Sequence, residues 1–479
     1  AQGPPLAQCS PAPGRGSGRL MAEPLEDELH PLLAEPLRPR AVAASAFACL
    51  SGLLLGYDIG VTNGALLPLK RHFGMSHSQM ELFVGTLSLC AMPGCFLGGK
   101  SADWIGRRGA IGVGAVLFLV GNALMAFAST YAVLLFGRAI AGLAVGMTLV
   151  TEPLYTAEVS PARLRGMLST NVEVSFNAGI VIGFLSSYKL RDLPDDASWR
   201  WMFGLCLAAP LLSLVGVCFV LPESPRWLAS QGRVREAEAV LGTVLGPAEA
   251  SHCVKLMKAP LRGIDNESEM TWYEMFTTPQ TRWLALIGAG IAFFSQATGI
   301  ESIMFYSNVI LKEGGLDRDM MLLATLIMGC FKLAAIMVQG CIVDITGRRP
   351  LLIISSLGMA SCMITLGLSF EFSLGVYFKV LPITFFAVLF SLGYGPLVYT
   401  IGAELYPTAC RAKGLTLTMG TARVMAAIVA LTFLSLSAVL SMGGAFIFYG
   451  CWGVVGAVFV LLLVPETTGK SLDEDVIAD

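Results

Sequence analysis

The stretch that decides the fold is Asp103-Trp104-Ile105-Gly106-Arg107-Arg108, because a close copy of it, Asp344-Ile345-Thr346-Gly347-Arg348-Arg349, lies further along the same chain. Two more signatures recur in the same order, namely Ala157-Glu158 with Ala403-Glu404, and Pro222-Glu223-Ser224 with Pro465-Glu466-Thr467. All three pairs are separated by roughly 240 positions, and chance similarity does not preserve both order and spacing. The chain therefore consists of two related halves.

The composition places both halves in a membrane. Hydrophobic residues make up 55% of the 479 residues and charged residues 14%, against about 25% in soluble domains. About twelve apolar runs approach the roughly 20 residues that a membrane-spanning helix needs. Numbered in chain order as spans 1 to 12, they cover residues 41–67, 80–100, 109–128, 132–156, 167–188, 200–221, 282–309, 319–342, 350–369, 374–401, 414–440 and 444–464. The sequence therefore predicts an all-α membrane protein with twelve transmembrane helices in two six-helix bundles, and it disfavours a large soluble helical protein.

The polar stretches divide the chain into five predicted segments. These are a disordered N-terminal tail (1–40), a first six-helix bundle (41–222), a linker with short helices (223–281), a second six-helix bundle (282–466) and a C-terminal tail (467–479). The basic segments all fall on one side if the spans alternate, and basic loops stay in the cytoplasm. Both tails and the linker are therefore predicted to be cytoplasmic. Internally repeated membrane proteins are typical of transporters whose substrate site lies between the repeats.

The reactive side chains do not predict catalysis. Most of the 12 cysteines lie inside the spans, and no CxxC pair or histidine cluster has metal-ligand spacing. The sequence contains no phosphate-binding loop, so ATP-driven transport is not expected. No nucleophile–base pair is visible, so we do not expect an enzyme, and nothing predicts a metal, a cofactor or a nucleic-acid partner.

The repeated motifs resemble those of a known family. Gly106-Arg107-Arg108, Gly347-Arg348-Arg349 and the segments 222–228 and 465–469 are similar to the signatures of the sugar porter family, which belongs to the major facilitator superfamily. The resemblance extends in order over about residues 45–475. It implies two six-helix bundles around a central cavity, with access alternating between the two sides of the membrane as the bundles rock.

Charged residues of the repeated motifs lie at one predicted membrane edge. Opposite charges there can form ion pairs in one state of a transporter and separate in the other. They then favour one conformation without contacting the substrate. We therefore predict a cytoplasmic gate made of Asp103, Arg107, Arg108, Glu158, Arg165, Glu223, Arg226, Asp344, Arg348, Arg349, Glu404, Arg411 and Glu466. The alternative is that the arginines only fix the orientation in the membrane.

Two ionisable residues in the first half predict a proton-coupling site. Asp58 lies in span 1 and Arg138 near the start of span 4, and charges inside a membrane are costly and functional by default. The resemblance implies coupling, because facilitators of the family commonly have Asn at the position of Asp58 while proton-coupled members have Asp. Burial and a nearby guanidinium act in opposite directions on the proton affinity of a carboxylate, so rocking can couple proton uptake to substrate movement. The alternative is a permanent structural ion pair.

The resemblance also implies a substrate site between the halves, since segment 295–301 of span 7 is similar to the glutamine motif that binds sugar in the family. The predicted substrate-binding residues are Asn177, Ser295, Gln296, Glu301, Tyr306, Lys332 and Tyr399. Lys332 and Glu301 are expected to neutralise each other in the cavity, which leaves donors and acceptors for hydroxyl groups. Tyr399 and Ala422 depart from the usual Trp and Asn, so the preferred ring size and hydroxyl pattern stay open.

The chain is most similar to plant-type polyol and monosaccharide proton symporters. These share Glu173 and Asn177 in span 5, Lys332, Arg423 and the segment 443–446. The resemblance implies proton-coupled symport of a polyol or monosaccharide. Two alternatives stay open: a proton-independent facilitator, and a transporter-like sugar sensor, which the short tail after Leu472 disfavours.

The N-terminal tail carries a candidate sorting signal. Glu28, Leu32 and Leu33 resemble an adaptor-binding signal for the vacuole or lysosome. Short patterns of this kind arise often by chance in disordered tails. The plasma membrane is therefore the expected location, a vacuolar or lysosomal membrane is the alternative, and Met21 is a candidate initiator.

Overall fold

The computed structural model of this chain describes residues 39–159, 165–244, 270–407 and 410–466, and within these ranges the regular secondary structure is helical throughout. Residues 1–38, with the candidate sorting signal at Glu28, Leu32 and Leu33, lie outside the described residues. The same holds for the predicted C-terminal tail, 467–479, and for part of the predicted linker, 245–269.

The first half contains six spans in seven helices. These are α1 (Pro39–Phe73), α2 (His77–Trp104), α3 (Arg107–Ala126), α4 (Tyr131–Val159), α5 (Arg165–Lys189), α6 (Asp195–Leu205) and α7 (Ala208–Phe219). Span 6 is divided between α6 and α7 because the helical hydrogen bonding is interrupted at Cys206 and Leu207. α2 begins at a capping box, in which the Ser76 hydroxyl accepts from Gln79 N–H and the Gln79 side chain accepts from Ser76 N–H.

Three short helices lie between the two halves in the part of the linker that the structure describes. They are α8 (Pro225–Ser230), α9 (Val234–Val244) and α10 (Trp272–Thr277). The second half follows as α11 (Pro279–Ala297), α12 (Ile300–Glu313), α13 (Arg318–Thr346), α14 (Arg348–Glu371), α15 (Tyr377–Leu392), α16 (Tyr394–Leu405) and α17 (Arg411–Leu463). α17 contains both span 11 and span 12. The two spans meet at Ser441, where the backbone leaves the helical conformation with φ 73°.

The helices confirm the prediction of twelve spans. Nine helical segments in the described part of the chain are long and apolar enough to cross a membrane, and one of them, Lys413–Leu463, holds two spans. α1 and α5 supply spans 1 and 5.

Spans 7 and 10 are each broken into two helices, although their sequences read as continuous apolar runs. Gly299 separates α11 from α12 with φ 87°, a left-handed conformation that glycine adopts without a steric penalty. Gly393 separates α15 from α16. Discontinuous helices are typical of transporter substrate sites, because they place backbone and side-chain polar groups at membrane depth.

Small residues let neighbouring helices touch along their backbones. A Cβ atom at Gly56 of α1 would lie 1.8 Å from the carbonyl oxygen of Phe176 in α5. A Cβ at Gly179 of α5 would lie 2.0 Å from the carbonyl oxygen of Leu53. Close approach through small residues is a common way for membrane helices to associate, since lipid provides no hydrophobic drive between them.

Among the described helices, the two halves meet mainly along three pairs. α1 contacts α12, α2 contacts α17, and α5 contacts α13. The polar residues discussed below lie along these contacts or at the two ends of the helices. We call the end that carries Arg107 and Arg348 the motif face, and the other end the opposite face.

Candidate functional site

At the motif face, the repeated motif of the first half forms a hydrogen-bonded cluster of charges. The Arg107 guanidinium donates to both oxygens of Glu158, from Nε at 2.9 Å and from Nη2 at 3.1 Å, and it also pairs with Asp103 at 3.3 Å. Glu223 accepts the backbone N–H groups of Arg107 at 2.9 Å and Arg108 at 3.1 Å. Glu223 thus caps the N-terminus of α3, where unpaired N–H groups favour a negative charge.

The second half builds the same cluster from the second copy of the motif. Arg348 Nη2 lies 3.3 Å from Glu404 Oε1. Glu466 accepts the backbone N–H groups of Arg348 at 3.0 Å and Arg349 at 3.1 Å, so it caps α14 as Glu223 caps α3. The sequence repeat is therefore also a repeat of contacts.

Glycine is required at the start of α3 for a steric reason. Gly106 has φ 86°, and a Cβ there would lie 2.3 Å from Glu223 Oε2. Gly347 has nearly the same conformation, with φ 90° and ψ 160°. The motif glycine thus leaves room for the capping carboxylate.

The remaining predicted gate residues have other surroundings. Arg226 is exposed on α8. Arg411 Nε donates to the Tyr406 carbonyl at 3.2 Å. The side chains of Arg165 and Asp344 lie outside those that the structure describes. The described ion pairs at the motif face join residues of the same half.

In the first half, Asp58 and Arg138 form an ion pair sealed inside the protein. Arg138 Nη1 lies 2.8 Å from both carboxylate oxygens, and both side chains are 0% exposed. The Phe83 ring lies 5.0 Å from the guanidinium carbon. Within the described part of the chain, Nε and Nη2 of Arg138 have no hydrogen-bond partner. The pair links α1 to α4, and its guanidinium has donors left to satisfy.

A polar cluster within the predicted spans takes side chains from both halves. The Lys332 ammonium of α13 donates to Asn177 Oδ1 of α5, and Asn177 Nδ2 donates to the Glu173 carbonyl at 2.9 Å. Lys332 also lies 5.6 Å from the centre of the Phe176 ring. The charges of Glu173 and Glu301 both act on the Lys332 ammonium. The ammonium therefore has acidic neighbours in both halves.

Arg423 completes this cluster from span 11. The charge of Arg423 acts on the Tyr399 hydroxyl and on the Glu301 carboxylate. Tyr399 is 40% exposed, and its hydroxyl has Glu173 of the first half and Glu301 and Arg423 of the second half as charged neighbours. We call Glu173, Asn177, Glu301, Lys332, Tyr399 and Arg423 the central cluster.

Ser295 and Gln296 lie at the end of α11, just before the break in span 7, and Glu301 lies in the first turn of α12, just after it. Gln296 Nε2 donates to Ser295 Oγ at 3.3 Å, and the Ser295 hydroxyl donates to the Ala292 carbonyl at 2.7 Å. Gln296 is 7% exposed, and its Oε1 has no partner among the described residues. A buried amide oxygen without a donor is costly, and a bound hydroxyl group would satisfy it.

Two predicted substrate contacts have different surroundings from those expected. Tyr306 is fully buried within the second half, where its hydroxyl donates to the Ala430 carbonyl at 2.8 Å and its ring lies 5.3 Å from Phe433. Lys332 finds its hydrogen-bond partner in Asn177 across the interface, and Glu301 acts on it only as a more distant charge.

Arg423 and Glu173 are not among the site residues that the sequence predicts. Both were visible as charges inside apolar runs, which is a signal for function in membrane segments. The sequence alone does not show that they meet in one cluster, because they belong to different halves.

At the opposite face, the halves are joined by hydrogen bonds. Asn63 Nδ2 of α1 donates to the Met304 carbonyl and to Ser307 Oγ of α12, each at 2.6 Å. Arg191 pairs with Asp319 at 2.9 Å across the halves. The cross-half hydrogen bonds and ion pairs of the described residues are concentrated at this face and in the central cluster.

Comparisons with known proteins agree with this architecture. The family model for "Sugar (and other) transporter" matches residues 44–475. "Probable polyol transporter 4" of Arabidopsis thaliana is 34% identical over 445 residues, covering 91% of this chain and 84% of that protein. "Polyol transporter 5" of the same plant is 34% identical over 469 residues, covering 92% and 87%.

A solved structure shows the same fold. The inward open conformation of the xylose transporter XylE from E. coli has a TM-score of 0.78 and 27% sequence identity, covering 91% of this chain and 98% of that one. Fold and site together define an integral membrane transporter with the major facilitator architecture. The chain belongs to the sugar transporter family.

Proposed function

We propose that this protein is a proton-coupled symporter that moves a polyol or a monosaccharide by alternating access. The observation that carries the proposal is the central cluster, in which donors and acceptors of both halves converge within the predicted spans around the Lys332–Asn177 contact. A site shared by two related halves is exposed to one side or the other when the halves rock.

The groups around the cluster suit a ligand with many hydroxyl groups. Each hydroxyl both donates and accepts, and the cluster offers cationic donors and carboxylate acceptors, with the unpartnered Gln296 oxygen close by in sequence. Tyr399 offers an aromatic face to the C–H surface of such a ligand. The names of two relatives as polyol transporters, and of XylE as a xylose transporter, support the same substrate class.

Asp58 is the proposed proton-binding group. Its carboxylate is sealed against Arg138, so protonation would remove the negative charge and free a guanidinium that has other donors to satisfy. A buried charge without its partner is strongly unfavourable, so the two protonation states favour different arrangements of the helices. A similar structure is named as the proton:xylose symporter XylE, which supports proton coupling.

The two faces have different proposed roles in the cycle. The halves, residues 41–222 and 282–466, would rock as units, and the motif clusters would exchange contacts between them as the state changes.

The motif face is proposed to be cytoplasmic, with both tails and the linker on that side, because it carries the basic loops. Closure at the opposite face and the likeness to an inward open XylE support an inward-facing state. The plasma membrane is the proposed location.

Transport in proteoliposomes tests the proposal. The purified protein would be reconstituted and given labelled sorbitol, inositol, glucose or xylose, with and without an inward proton gradient. We expect accumulation of at least one of these substrates above its external concentration only when the gradient is present. Equilibration without accumulation would instead identify a facilitator, and the absence of flux for all four would contradict the proposal.

A further inference from the structure

A buried contact at the opposite face has no part in the chemistry proposed above. Glu81, in the second turn of α2, is 3% exposed. Its carboxylate oxygens accept two hydrogen bonds from Ser435 of α17, one from the backbone N–H at 2.7 Å and one from the hydroxyl at 2.5 Å. Both oxygens of a buried carboxylate are thus bonded to a single residue of the other half. Charge-assisted hydrogen bonds of this kind are roughly twice as strong as neutral ones.

A second contact lies one helical turn deeper in the membrane. Gly85 follows Glu81 by one turn on α2, and Leu431 precedes Ser435 by one turn on α17. A Cβ at Gly85 would lie 2.3 Å from Leu431 Cγ, so the leucine side chain occupies the space that any larger residue at 85 would need. The absence of a side chain at Gly85 therefore lets α2 and α17 come close enough for Glu81 to reach Ser435.

The ion pairs between the halves at this face are weaker candidates for holding it closed. Arg191 with Asp319, and Arg318 with Asp195, are partly exposed pairs at 2.9 and 3.6 Å. Exposed pairs contribute little, because water screens the charges and the side chains lose freedom. The Glu81–Ser435 contact differs because it is buried and both of its hydrogen bonds end on a carboxylate.

We propose that Glu81 and Ser435 form a latch that holds the transport pathway closed at the opposite face, and that Gly85 provides the room in which the latch closes. The inference rests on the proposed function in one respect, namely that the halves separate at this face during the cycle. Latch residues belong to different halves, so separation breaks both contacts at once. Removing the latch should favour the state that is open at the opposite face.

A distance measurement between the halves tests the latch. Spin-labelled non-natural side chains would be placed at Ser129 and Gly375, which are exposed in opposite-face loops of the first and second half. Double electron–electron resonance would give the distribution of distances between the two labels in the full-length protein without substrate. We expect mostly short distances in the unmodified chain. Glu81→Ala should raise the ratio of open to closed molecules about tenfold, since two states of a transporter differ by only a few kcal/mol.

Steric and matched variants make the test specific. Gly85→Ala should also shift the distribution to long distances, and adding Leu431→Ala should restore the short ones by removing the clash. Ser437→Ala is the control, because the Ser437 hydroxyl donates at 2.8 Å to Leu434 of its own helix. Glu81→Gln retains an acceptor for the Ser435 N–H and should give an intermediate shift. This variant replaces Glu81→Ala in the measurement if Glu81→Ala does not fold.

Two outcomes would overturn the latch. One is an unchanged distribution in both the Glu81 and the Gly85 variants, and the other is an equal shift in Ser437→Ala. The measurement needs neither substrate nor protons, so the latch and the proposed transport activity can fail independently. Loss of flux with the expected distance shifts would count against the activity alone.

Discussion

The two halves carry the same charged cluster at the motif face and different ionisable groups inside the membrane. Arg107 with Glu158 has its counterpart in Arg348 with Glu404, and Glu223 has its counterpart in Glu466. Inside, the first half has the sealed Asp58–Arg138 pair. The second half contributes Glu301, Lys332, Tyr399 and Arg423 to a cluster that also includes side chains of the first half.

This difference separates two kinds of role. The charged clusters that occur in both halves are expected to serve the movement of the halves relative to the membrane and to each other. Parts present in one half can specialise in chemistry, since duplication does not constrain them. We therefore assign conformational roles to the motif clusters, proton binding to Asp58 and substrate recognition to the central cluster.

The central cluster should depend most strongly on its ammonium group. Lys332→Met leaves the acids that share Lys332 with one compensating charge fewer, and breaking a buried charge pair typically costs about 3–5 kcal/mol. Because both Glu173 and Glu301 act on the Lys332 charge, Glu173→Gln or Glu301→Gln should each recover part of the lost stability in a double variant. Thermal unfolding of the purified single and double variants measures this. Strictly additive losses would show that the three residues do not interact.

Coupling should be lost when the sealed carboxylate is removed. A proton moving down 100 mV carries about 2.3 kcal/mol, enough for an accumulation of roughly fiftyfold. Asp58→Asn should reduce accumulation in proteoliposomes to equilibration, while exchange of labelled for unlabelled substrate continues. Undiminished accumulation by this variant at acidic external pH would remove Asp58 from the proton-binding role.

Substrate affinity should depend on Gln296 of span 7, whose amide oxygen has no partner among the described residues. Gln296→Ala should weaken binding by about 1–3 kcal/mol, the usual cost of leaving a buried hydrogen-bonding group unpaired. Binding of the transported substrate to purified protein checks this. The control is Ser361→Ala, because that hydroxyl donates to Gly358 of its own helix, away from the central cluster. Equal affinities for the Gln296 variant and the unmodified protein would place this side chain outside the substrate site.

The repeated caps should have the smallest effects, and the two should be alike. Glu223→Ala and Glu466→Ala each remove a carboxylate that caps a helix, which costs about 0.5–2 kcal/mol. Both variants should transport more slowly than the unmodified protein, with similar losses. Rates measured at saturating substrate in proteoliposomes would show this. A large loss for one variant and none for the other would mean that the two clusters are not equivalent in the cycle.

Much of the fold could be predicted from the sequence, because an apolar run of membrane length almost always forms a membrane-spanning helix. The boundary between spans 11 and 12, predicted between 440 and 444, falls at Ser441. The breaks at Gly299 and Gly393 were not predicted, since glycine is common in continuous membrane helices and the flanking residues remain apolar.

The site was harder to predict than the fold, because its contacts join residues that are distant in sequence. Pairing Lys332 with Glu301 followed from adjacent spans, whereas the structure bonds Lys332 to Asn177 in the other half. The sequence predicts Tyr306 as a substrate contact, yet its hydroxyl donates to the Ala430 carbonyl. Which face of a buried helix looks into the cavity depends on tertiary packing, and a helix that is apolar all round gives no periodic signal for it.

The division of roles between repeated and unrepeated charges is tested best by the number of protons exchanged when substrate binds. Isothermal titration of the purified protein in buffers with different ionisation enthalpies gives that number without any membrane gradient. We expect a proton exchange in the unmodified protein that is absent in Asp58→Asn and preserved in Glu158→Gln, whose carboxylate belongs to the repeated cluster. Proton exchange that persists in Asp58→Asn, or that disappears in Glu158→Gln, would contradict this division of roles.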